Sequence, residues 1–131
     1  MKRGRKMMEF NRYEKETKDL WGHTSAYKES KEKEAKRTPE ENQAVYKGMM
    51  DQFVKFNELK SQDIESDEVQ NQVKTLQDYI SNYFYHCTND ILAGLGKMYA
   101  DGGEFTKNID AYAGSGTALF TSRAIEYYCR N

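Results

Sequence analysis

Apolar residues return every three or four positions along most of this chain, and they never settle into the alternation of a strand. Val45, Met49, Phe53, Phe56 and Leu59 form one such stripe. Val69, Val73, Leu76, Ile80, Tyr83 and Phe84 form a second. Each stripe begins at a recognisable helix start. In Thr38-Pro39-Glu40-Glu41, the threonine can cap, the proline suits the first helical position, and Glu41 can close a capping box. Ser66-Asp67-Glu68 opens the second. A short polar segment joins the two, which predicts an antiparallel hairpin. Thr88-Asn89-Asp90 restarts the chain for a shorter helix carrying Ile91, Leu92, Leu95, Met98 and Tyr99, stopped by Asp101-Gly102-Gly103. Phe105, Ile109 and Tyr112 predict another short helix. After Gly114-Ser115-Gly116, Leu119, Phe120, Ile125 and Tyr128 predict a last one. The fold class is all-α, with five to six helices.

The front of the chain differs. Residues 7–21 scatter Met7, Phe10, Tyr13 and Trp21 among charges, a weak amphipathic pattern. Tyr27 to Arg37 is almost wholly Lys, Glu, Ser and Ala, helical by propensity but with little to bury. Residues 1–37 are thus expected to be the least stable part.

Composition narrows the function classes. The 131 residues fit one domain. Lys+Arg (20) and Asp+Glu (21) nearly cancel, so the net charge of -1 gives no global attraction to nucleic acid or anionic lipid. Lys2, Arg3, Arg5 and Lys6 read as a linker remnant or as a solvated tail. Six of the nine glycines fall between Gly94 and Gly116, which leaves the preceding part free for long helices. No apolar segment follows the basic start, so no secretion signal is read there. No stretch is long enough for a membrane span. Two cysteines, Cys87 and Cys129, make neither a disulfide framework nor a metal spacing, and a reducing cytoplasm is the expected compartment.

Catalytic patterns are sparse. Gly94-Leu95-Gly96 lies inside a helical stripe rather than after a strand, so it is no phosphate loop. His86-Cys87 could suggest a base and nucleophile, but neighbours on a helix diverge by about a hundred degrees, and Cys87 also reads as a small core residue. A haem would need an axial ligand such as His86 or His23. The unusual feature is the aromatics: ten tyrosines, six phenylalanines and one tryptophan. Tyr83, Phe84 and Tyr85 on one helix would fan around its axis, leaving some ring surface for a cleft. Large amphipathic rings suit a bulky apolar ligand, and they equally suit a core.

Two segments carry a family pattern: Trp21-Gly22-His23-Thr24-Ser25-Ala26-Tyr27, and Leu95-Gly96-Lys97-Met98-Tyr99 running on to Phe105-Thr106-Lys107-Asn108-Ile109-Asp110. In order and spacing they resemble the TipAS antibiotic-recognition domain of MerR-type transcription activators, over roughly residues 15–128. The resemblance implies a globin-like all-α domain with a mobile N-terminal segment that orders around a drug, no enzymatic activity and no cofactor or metal. It assigns residues 1–14 to a basic tail or linker and 15–131 to the ligand-binding domain. The implied partner is a bulky small-molecule or macrocyclic peptide antibiotic, with DNA reached only through an N-terminal winged-helix domain that this chain lacks. The isolated domain is expected to be monomeric, and a full-length regulator dimeric. Ligand contacts are expected from Trp21 and Tyr27 on a closing arm, and from Tyr83, Tyr85, His86, Met98, Tyr99 and Phe105 in the cleft. Some relatives capture thiopeptides covalently through a cysteine. Its matched position here is Gly94, so reversible binding is expected. The alternative is a stand-alone protein that sequesters drug without touching DNA.

Overall fold

The computed structural model describes residues 25–130 and builds them from six helices: α1 (Ser25–Ala35), α2 (Pro39–Glu58), α3 (Asp67–Tyr83), α4 (Asn89–Tyr99), α5 (Glu104–Ala113) and α6 (Thr117–Arg130). The all-α expectation holds. Trp21 and the 1–24 segment lie outside the described residues.

Each predicted start is a real cap. Thr38 Oγ1 accepts the Glu41 N–H at 3.1 Å, and Glu41 Oε1 accepts the Thr38 N–H at 2.9 Å, a closed capping box. Ser66 Oγ accepts the Val69 N–H, and Thr88 Oγ1 accepts the Ile91 N–H. Helices α2 and α3 are antiparallel. Tyr79, late in α3, donates its hydroxyl to the Val45 carbonyl early in α2 at 2.6 Å, while Gln72 donates to Gln52 Oε1 at 2.8 Å. Val45, Met49, Phe53 and Phe56 face Val69, Val73, Leu76 and Ile80 in the core. Each fully buried aliphatic of this kind contributes roughly 1.5–3 kcal/mol. Gly48 leaves space for the Tyr79 ring, since an added Cβ would strike the hydroxyl.

Helices α4 and α6 pack at short range. A Cβ on Gly96 would lie 3.0 Å from Ile125 Cγ2. The α6 face that meets this core is Thr117, Ala118, Thr121, Ala124 and Ile125. Of the residues the sequence put forward, Ile125 is buried and Phe120 and Tyr128 pack partly against the core, while Leu119 does not. Leu119 is 47% exposed. Small side chains at three- and four-residue steps let the backbones approach, and the large residue beside them is turned outward.

A second correction concerns the end of α3. The helix stops at Tyr83, and the amides of Phe84 and Tyr85 both bond to the Ile80 carbonyl. Phe84 and Tyr85 therefore leave helical geometry, and both turn inward. The fanning argument held only for a helix that continued. His86 and Cys87 also lie in this loop rather than on a helix.

Two stability outcomes follow. Gly96→Ala forces α4 and α6 apart or displaces Ile125, and a urea melt should show a loss of about 1–3 kcal/mol. Thr38→Ala removes the box and should cost about 1 kcal/mol in the same measurement.

Candidate functional site

Seven of the eight candidate residues are described, Trp21 lying outside, and they fall into distinct settings. Tyr99 and Phe105 are core. Their rings meet edge-on at 6.0 Å, and Phe53 meets Tyr99 at 5.1 Å. Tyr85 is 1% exposed and equally interior. In the described conformation these three form solid packing beneath the surface. Tyr83 is 40% exposed, and His86 is exposed in the loop after α3. Met98 and Tyr27 are half-buried, on α4 and α1. Gly94 shares the α4 face of Met98 and Ile91, one turn along, and all three are half-buried.

The second motif proves to be the scaffold of that face. Thr106 donates its hydroxyl to the Tyr99 carbonyl at 2.6 Å and accepts the Gly102 N–H, closing the end of α4. Asp110 accepts the amides of Gly116 and Ala118 at 3.1 and 2.9 Å, capping the start of α6 from α5. A carboxylate there also complements the helix dipole. Ile109 is buried. Gly114, at φ +135°, makes the turn between α5 and α6 where a Cβ would crowd the Asn57 amide. The residues that make the motif specific are mostly those that set α4, α5 and α6 at fixed angles.

Helix α1 lies over the end of α3 with little apolar contact. Ala26 is the one buried residue among its described side chains. Its ties are polar. Glu29 Oε1 accepts the His86 N–H at 3.0 Å, and Lys33 Nζ donates to the Asn82 carbonyl at 3.1 Å. Beyond the helix, Arg37 donates to the Tyr83 carbonyl and to Asn42 Oδ1. Cations on the last carbonyls of α3 are favourable by about 0.3–1 kcal/mol each. The expected core-poor arm is thus a helix held by charge, and it reaches two of the candidate residues, Tyr83 and His86.

Sequence reasoning missed Glu29, Arg37 and Tyr79. Glu29 and Arg37 sat in an apparently uniform charge run, with nothing to separate them from their solvated neighbours. Tyr79 had no signal to separate it from the other tyrosines of the chain. It stands 4.6 Å from the Tyr83 ring, and burial raises its phenol above the usual tyrosine range. A hollow of about 390 Å³ opens between Arg37, Ala44, Tyr79 and Tyr83. Another, of about 480 Å³, lies on a different face of α4, walled by Ala93, Lys97, Ile125 and Cys129.

The thiols are poor nucleophiles here. Burial pushes Cys87 up to about 12, with the Cys129 charge adding to it, and burial also raises Cys129. Among the described residues no group of three or more His, Cys, Asp and Glu could hold a metal ion, and no helix is long and apolar enough to cross a membrane.

Two measurements probe these settings. A thiol raised in the folded state binds its proton more tightly there than when unfolded. Its stabilising contribution is therefore complete below the unfolded value near 9 and fades as pH climbs toward 12. Melts from pH 8 to 11 should show this decline in the parent and a shallower one in Cys87→Ala. Glu29→Ala loosens α1, so trypsin should cut at Lys31 or Lys33 several-fold faster while cleavage within α3 is unchanged.

The family profile described as the TipAS antibiotic-recognition domain matches residues 13–128. The HTH-type transcriptional activator TipA of Streptomyces coelicolor is 32% identical over 117 residues, covering 88% of this chain and 46% of that protein. The HTH-type transcriptional activator mta of Bacillus subtilis is 44% identical over 62 residues, 47% of this chain and 24% of that one. The chain thus spans less than half the length of these relatives. A solved structure of TipAS from Streptomyces lividans in complex with nosiheptide superposes with a TM-score of 0.77 at 30% identity, covering 92% of this chain and 85% of that one. With a family profile matched over residues 13–128, this chain belongs to the TipAS antibiotic-recognition domain family.

Proposed function

We propose that this chain is the ligand-sensing domain of a MerR-type transcription regulator and binds a bulky, thiopeptide-like antibiotic reversibly. The observation that carries this reading is the fold shared, at 30% identity over 92% of the chain, with a TipAS domain whose structure holds nosiheptide. The described surface supports it. Tyr83 and His86 at and just after the end of α3, Tyr27 on α1 and Met98 near the end of α4 offer partly open side chains. Tyr85, Tyr99 and Phe105 are buried beneath the surface. Trp21, outside the described residues, is the remaining proposed contact. The polar ties of α1 exchange with water at small net cost, so a ligand with a stronger claim on the same surface shifts the arm's equilibrium. In a longer regulator that shift would pass to an attached DNA-binding domain in the cytoplasm. The domain acts by binding, with no turnover.

Reversibility rests on Gly94. A relative's cysteine there would add its thiolate sulfur to the terminal carbon of a dehydroalanine, whose other carbon takes up a proton. Glycine offers no sulfur, and Cys87 is buried and protonated. Trp21 is the only tryptophan, so its fluorescence is a single-site reporter of binding near it. Titration with nosiheptide should give a saturable change with the protein mass unaltered. Gly94→Cys should then yield a covalent adduct by mass spectrometry. A flat fluorescence titration accompanied by no detectable calorimetric heat would overturn the sensor reading. An adduct on Cys87 or Cys129 of the parent would overturn reversibility.

A further inference from the structure

We infer that the hollow between the α1–α2 turn, the start of α2 and the last turns of α3 is a subsite for a planar aromatic ring bearing a carboxylate or carbonyl acceptor. The inference deepens the antibiotic-sensing reading and rests on it for its biological sense, but its chemistry is local. The hollow measures about 390 Å³, within the roughly 300–1,000 Å³ of small-molecule pockets. Its walls are one aromatic pair and one cation. The Tyr79 and Tyr83 rings lie 4.6 Å apart with planes inclined at 43°, and the Arg37 guanidinium carbon sits 5.8 Å from the Tyr83 ring centre.

The shelf is rigid from behind. Tyr79 is fixed by its hydrogen bond to the Val45 carbonyl, which Gly48 makes possible. The Tyr79 ring leans on Phe84 at 6.5 Å, and Phe84 on Tyr46 at 5.7 Å, so the aromatic contacts run from the surface into the core. Tyr83 is one of the few large apolar-faced side chains left 40% exposed. The part of the Tyr83 ring left open beside Tyr79 and Arg37 is better matched by another flat ring than by a flexible aliphatic chain, because stacking adds to area burial.

Arg37 supplies the polar selection. Two of its five N–H groups are used, one on Asn42 Oδ1 and one on the Tyr83 carbonyl. The rest are available to an acceptor at the mouth of the hollow. Glu41 also lines it, but one of its carboxylate oxygens is committed to the Thr38 amide in the capping box. The site therefore has one donor-rich plane beside one aromatic plane, a pairing that orients a ring with an acceptor substituent on its edge.

The probe is 2-naphthoate, followed by amide NMR on the whole chain, with cyclohexanecarboxylate as the non-aromatic control. Shifts should concentrate at Arg37, Ala44, Tyr79 and Tyr83. Tyr83→Leu, which keeps bulk and loses the ring face, should weaken binding about fivefold or more. Arg37→Gln should weaken it roughly threefold. Shifts elsewhere, equal binding of the control, or unchanged affinity in Tyr83→Leu would each overturn the subsite. The parallel nosiheptide titration separates the two claims. If 2-naphthoate binds here and nosiheptide does not bind at all, the subsite stands and the sensor reading falls. If nosiheptide binds the parent and Tyr83→Leu equally while 2-naphthoate misses the hollow, only the subsite falls.

Discussion

The ring of Tyr99 joins three helices. It sits at the end of α4, takes the Phe53 ring of α2 on one side and the Phe105 ring of α5 on another, and its carbonyl holds the Thr106 hydroxyl. Edge-on aromatic pairs of this kind add about 0.5–1.5 kcal/mol each beyond their buried area. Losing the Tyr99 ring would remove both aromatic contacts and loosen α4 against α2 and α5, while the backbone carbonyl would still hold Thr106. The α4 surface that carries Gly94 and Met98 is backed by these contacts and by the close packing of Gly96 on Ile125.

That fixed body contrasts with what lies on top of it. Behind the surface the contacts are apolar, close and hard to exchange. Over the end of α3 they are hydrogen bonds to backbone groups, Glu29 accepting the His86 N–H and Lys33 and Arg37 donating to carbonyls. Such bonds trade with water at little net free energy. The division suits a receptor for a large guest: a rigid floor that stores the shape, and a charged arm whose displacement is cheap. In the described state the floor aromatics are already packed, and the side chains left partly open lie on the loop after α3, the outer face of α4 and α1.

Much of this was written plainly in the chain. The caps at Thr38, Ser66 and Thr88, the stripes of α2 and α3, and the glycine turns around α5 follow from local chemistry, and the structure keeps each of them. Two features were hidden for physical reasons. The buried face of α6 is made of Thr117, Ala118, Thr121 and Ala124, which carry no strong hydrophobic signal, while the conspicuous Leu119 faces outward. The departure from helix at Phe84 depends on tertiary packing against Tyr46 and Tyr79, and nothing local announces it. The site was legible mainly through family likeness. The likeness identified the binding domain, yet most residues of its second motif turn out to hold helices in place. The polar clasp of α1 and the Arg37–Tyr83 corner emerged only from the coordinates, because a lysine- and glutamate-rich run looks the same whether its charges are solvated or engaged.

Helix α1 is tied by polar groups over a rigid aromatic floor. Amide hydrogen exchange on the domain with and without nosiheptide tests that most directly. Strong new protection is expected in α1 and in residues 83–88, with α3, α5 and the α4–α6 interface already protected and little changed. Uniform protection across all six helices, or protection confined to α5 and α6 with α1 untouched, would contradict it.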